Sequence, residues 1–65
     1  MNREEMLKAA CGLFLHEGIR NLSLNKIADR LGVTRHDLHA CFGDKRELAE
    51  LSVEYGLRQL DETLQ

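Results

Sequence analysis

Between Ser23 and Lys45 the chain reads SLNKIADRLGVTRHDLHACFGDK, and this stretch leaves few folds open. It divides at Gly32-Val33-Thr34 into two short segments of helical periodicity joined by a tight turn. Ile27, Ala28, Leu31, Leu38 and Cys41 fall on one side of the pair. Asn25, Lys26, Arg30, Arg35, His36, Asp37 and His39 fall on the other. Such a unit buries one face and presents a polar second helix, and the flanking sequence is expected to serve as its support.

The rest of the 65 residues suits that role. The chain has no Pro, only three aromatic residues and no alternating run of Val, Ile, Thr or Tyr, which favours helices over sheet. At 43% hydrophobic and 31% charged it is too apolar for a disordered segment, and its length allows one small domain. No apolar stretch is long enough to span a membrane, and Met1-Asn2-Arg3-Glu4-Glu5 lacks the apolar core of a signal peptide. A cytoplasmic location with reduced Cys11 and Cys41 is therefore expected.

The formal charge of −2 hides an uneven distribution. Residues 20–46 carry Arg20, Lys26, Arg30, Arg35, Lys45 and Arg46 against Asp29, Asp37 and Asp44, a local excess of +3. Residues 1–19 balance at −1 and residues 47–65 at −4. The positive excess thus coincides with the helix pair, where a local anionic partner would meet it.

From Arg3 to His16, Met6, Leu7, Ala10, Leu13 and Phe14 recur at helical spacing, with acids in the first turn and Gly18 as the stop. Gly12 inside this helix either permits close approach of another helix or is simply tolerated. His16 suits the carbonyl-rich end of the helix. Ile19 and Leu22 are expected to anchor a short connection to the core. Ser23 caps a helix over about Leu24–Leu31, which Gly32 ends. Thr34 caps a third helix over about Arg35–Cys41, with Asp37 completing a box-like pair. Gly43 breaks that helix, and Asp44 caps a fourth with Glu47 at the matching acid position. The fourth shows Leu48, Leu51, Ser52, Tyr55, Leu57, Leu60 and Leu64. Three small helices cannot bury all of these, so part of that face is expected to await a partner.

The spacing within the pair has a physical reason. A small Ala28 lets the helices cross closely, Gly32 permits the sharp turn, and Leu38 and Cys41 are expected to fill the crossing. A pair of this geometry fits a helix-turn-helix, which can lay its second helix in a DNA major groove, although a tight αα-corner shares the same pattern.

The wider pattern resembles the N-terminal DNA-binding domain of TetR-family transcriptional regulators. The matching residues are Met6-Leu7, Ala9-Ala10, Leu13-Phe14, Gly18, Ser23-Leu24, Ile27-Ala28, Leu31-Gly32-Val33, Leu38, Phe42, Lys45 and Leu48, over about two-thirds of the chain. The resemblance implies an all-α fold: a three-helix helix-turn-helix head over residues 1–46, followed by a fourth helix over 47–65. In the family that helix leads to a ligand-binding and dimerising domain. Homodimerisation and an effector site are accordingly expected only with that further domain, and this chain alone as a monomer or weak dimer.

The implied activity is sequence-specific binding of double-stranded DNA in transcriptional repression. Ser23 and Asn25 would touch the phosphate backbone; Thr34, Arg35, His36, Asp37 and His39 would face the groove; Lys45 and the amides of its helix would grip a phosphate. His39 and Cys41 depart from the family, which commonly has Tyr and an aromatic or His at those positions. Asp37 adds repulsion against phosphate unless it is paired. These departures motivate an alternative, a helical protein-interaction module that keeps the fold without binding DNA.

No enzyme is expected. There is no Gly-rich phosphate loop or Ser/His/Asp grouping, and Asp29 and Asp61 have no nucleophile beside them. His36 and His39 lie three apart, but with Cys41 expected inward a closed four-ligand metal set is lacking. No cofactor is expected either.

Overall fold

The computed structural model describes the backbone of residues 2–64 and the side chains of residues 2–60. Its elements are α1 (Arg3–Glu17), a 3₁₀ turn (Ile19–Asn21), α2 (Leu24–Leu31), α3 (Arg35–Phe42) and α4 (Lys45–Leu64), with no strand among the described residues.

Local chemistry sets each helix start. Asn2 accepts from the Glu5 amide at 2.8 Å, Ser23 from Lys26 at 3.2 Å, Thr34 from Asp37 at 3.0 Å and Asp44 from Glu47 at 2.9 Å. Each satisfies an amide that has no partner within its helix, which is worth about 1 kcal/mol. The Asp37 carboxylate also accepts from the Thr34 amide at 3.3 Å, so the capping box is complete.

The turn between α2 and α3 is a Schellman arrangement. The Val33 amide donates to the Ala28 carbonyl at 3.0 Å and the Gly32 amide to the Asp29 carbonyl at 3.3 Å. Gly32 sits at φ 73°, ψ 29°, the left-handed region where a side chain costs roughly 1–2 kcal/mol.

Ala10, Ile27, Leu38 and Leu48, one from each helix, are completely buried. Met6, Leu7, Leu22, Leu24, Ala28 and Phe42 surround them, and Leu13, Phe14, Leu31, Val33, Leu51 and Tyr55 close the periphery. α1 packs chiefly on α4, while α2 and α3 cross over the same core. The Cys11 thiol donates to the Ser52 carbonyl at 3.5 Å across the α1–α4 seam. Arg30 pairs with Glu17 through both terminal guanidinium nitrogens, at 2.9 and 3.1 Å, tying α2 to the end of α1.

Two expectations are corrected, and the open choice at Gly12 is decided. Cys41 is exposed; Phe42, one residue later, fills the crossing beside Leu38. Its ring lies under the Arg3 guanidinium, 5.1 Å from the centroid. Ile19 is 44% exposed, leaving Leu22 alone as the buried anchor of the connection. A Cβ on Gly12 would meet nothing within 4 Å, so no helix approaches there. The α1–α4 seam passes instead at Gly56, where a Cβ would lie 3.8 Å from the Cys11 sulfur.

On α4, Leu48, Leu51, Ser52 and Tyr55 face the core as expected, whereas Leu57 and Leu60 are more than 60% exposed. Leu64 lies outside the described side chains. Leu57 and Leu60 join Leu15, Ile19 and Val53 around an apolar groove of about 470 Å³ between α1 and α4.

Candidate nucleic-acid interface

The starts of α2, α3 and α4 converge on one side of the molecule. Ser23, Asn25, Arg35, Asp44 and Lys45 line a depression of about 360 Å³ between them. The first-turn amides of α2 and α4 give this depression the positive end of two helix dipoles. Four of the residues expected from sequence to contact DNA, Ser23, Asn25, Arg35 and Lys45, are thus brought together.

The other four lie along the first turns of α3. Thr34 and Asp37 are occupied with each other in the capping box. His36 and His39 are exposed and, among the described residues, without a hydrogen-bonding partner. Because helical residues three and four apart share a face, Arg35, His36 and His39 form one outward group.

Lys45, expected from the sequence to grip a phosphate, also has a partner within the chain. Its ammonium donates to the Leu22 carbonyl at 2.7 Å, clamping the start of α4 to the segment that leads into α2. Two of its three protons remain for another acceptor. Lys26 is similarly tethered, to the Asn21 carbonyl at 3.3 Å. With Arg30 on Glu17 and Arg46 3.5 Å from Glu50, only Arg20 and Arg35 of the six cations in residues 20–46 have no described partner.

The Lys45 clamp and the Arg3–Phe42 stacking had no sequence signal of their own, since each joins segments far apart in the chain. Asp37 carried its signal openly: three residues after Thr34, it answers the helix cap as expected, while its negative charge stays on α3. The described residues hold no cluster of three or more His, Cys, Asp or Glu that fits a metal ion. No helix among them is long and apolar enough to cross a membrane.

Capped short helices crossing at a left-handed glycine, with the second helix facing outward, define a helix-turn-helix domain. Comparison with known proteins gives its family. Residues 6–51 match the family described as bacterial regulatory proteins, tetR family. Proteins named HTH-type transcriptional regulator from Staphylococcus aureus strains USA300, NCTC 8325 and COL are each 36% identical over 56 residues. That alignment covers 86% of this chain and 30% of each of those proteins. The chain belongs to the TetR family, and its helices form that family's N-terminal DNA-binding domain. No solved structure matches the chain.

Proposed function

We propose that this domain binds double-stranded DNA with α3 in the major groove and acts in transcriptional repression as the head of a longer regulator. The observation that carries the reading is the outward group on α3, Arg35, His36 and His39, lying beside the depression formed by Ser23, Asn25 and Lys45. In this reading the helix starts and Lys45 hold phosphates, which fixes the register of α3. Arg35 then reaches a guanine edge or a neighbouring phosphate, and the histidines and Thr34 contact the groove wall. Asp37 keeps α3 capped and does not read a base.

The apolar groove between α1 and α4 supports the second half of the proposal. Exposed apolar residues grouped around one depression mark an interaction surface. We assign it to a further domain following α4, carrying dimerisation and any effector site. The chain spans 30% of the length of the regulators it matches, which leaves room for such a domain in proteins of that size.

Titration against a pool of duplexes at several salt concentrations tests the DNA reading. Affinity should fall steeply as salt rises, because each neutralised phosphate releases counterions. Arg35→Ala should weaken binding more than Arg58→Ala on α4. Absence of binding at low ionic strength would favour the alternative, a protein-interaction module. That alternative draws on the weak net charge of α3 and on the apolar groove.

A further inference from the structure

The recognition helix carries little charge of its own. Arg35 is positive and Asp37 negative, and the remaining titratable side chains of α3 are His36, His39 and Cys41. While both imidazoles are neutral, α3 presents no net positive charge to a polyanion. Capping does not change this count, because Asp37 keeps its formal charge while accepting from the Thr34 amide. Two bound protons would change α3 from neutral to doubly positive, on the side that Arg35 also occupies.

The charged groups on the elements packed against α3 are engaged elsewhere or have no described contact with the histidines. On α2, Lys26 bonds the Asn21 carbonyl, Arg30 pairs with Glu17, and Asp29 has no described partner. On α4, Lys45 bonds the Leu22 carbonyl, Arg46 pairs with Glu50, and the Glu47 carboxylate lies against Gly43. On α1, Arg3 lies over Phe42 at the far end of α3. None of these groups hydrogen-bonds or pairs with either imidazole.

We propose that His36 and His39 bind DNA as imidazolium ions, so that the domain takes up protons when it binds and its affinity is set by pH. The inference rests on the DNA-binding reading above. A protonated imidazole offers two N–H donors and a positive charge, suited to phosphate oxygens and to the N7 and O6 acceptors of guanine. A neutral one offers a single donor and no charge.

The sign follows from linkage: a complex that holds more protons than its separated components grows tighter as pH falls. If only the charged form binds, each histidine that takes up its proton on binding strengthens affinity by up to about tenfold per pH unit as pH falls. Each added phosphate neutralisation also steepens the slope of log affinity against log salt by about 0.9, so the slope should grow by up to about 1.8.

The test is fluorescence anisotropy with a labelled duplex pool and the 65-residue chain, at pH 5.5, 6.5 and 7.5 and several salt concentrations. Circular dichroism at each pH checks that the helices persist. Binding should strengthen ten- to a hundredfold towards pH 5.5 with a steeper salt slope. His36→Gln with His39→Gln should remove both effects, and His16→Gln on α1 should leave them in place. Salt-dependent binding that ignores pH, or a pH response that survives in the double variant, overturns the inference while leaving DNA binding standing. No binding at any pH overturns both.

Discussion

Replacing Lys45 by Met separates the clamp at the start of α4 from the contact proposed for it. The substitution keeps an apolar stem of similar length but removes the donor 2.7 Å from the Leu22 carbonyl. A hydrogen bond from a charged donor contributes about 1.5–3 kcal/mol when buried, and Lys45 is only half-buried, so about 1.5 kcal/mol is expected. In a domain of this size each kcal/mol moves the melting temperature by about 4–8 °C, which places Lys45→Met about 6–12 °C below the parent chain. Thermal unfolding followed by circular dichroism measures this, and Lys45→Arg should recover part of the loss. On DNA, the two unused ammonium protons predict a second effect: the salt slope should fall by about 0.9. An unchanged melting temperature would refute the clamp. A lowered melting temperature with an unchanged slope would refute the phosphate contact alone.

Other substitutions test the packing. Gly12→Ala should stabilise the chain by up to about 1 kcal/mol, because the new methyl meets open space while helix propensity improves; the denaturation midpoint in urea should rise. Gly43→Ala should cost about 1–3 kcal/mol, since Gly43 sits at φ 90°, where a side chain is strained even though the exposed Glu47 carboxylate beside it can swing aside. Leu38→Ala should cost about 2–5 kcal/mol at the completely buried centre of the crossing, a large share of the stability of a small domain. A thiol reagent should label exposed Cys41 quickly, while Cys11, half-buried against α4, should react fast only after unfolding.

Local signals in the sequence were the most dependable. Ser23, Thr34 with Asp37, and Asp44 announce helix starts because each acts within three residues of itself, and Gly18, Gly32 and Gly43 mark the stops for the same reason. The inward faces of α1 and α2 followed from their spacing. α3 was harder. From Leu38 a helix turns about 300° to Cys41 and about 400° to Phe42, so the two residues straddle the same direction. The larger apolar ring takes the inward position, and Cys41 is left outside. The exposure of Ile19 and the choice between the two readings of Gly12 share a related cause: their surroundings depend on where α4 runs, and no residue near them records that. The depression at the helix starts was legible in its members but not in its internal bonds. The Lys45–Leu22 link joins positions 23 residues apart.

The central claim is that α3 lies in the major groove. Dimethyl sulfate methylates guanine at N7 in the major groove and adenine at N3 in the minor groove, so protection from it reports which groove is covered. On a duplex selected by the domain, protection should fall on guanine N7 within a single half-site and should weaken at one or more of those guanines in Arg35→Ala. Protection confined to adenine N3, or an N7 pattern indifferent to Arg35→Ala, would contradict the account.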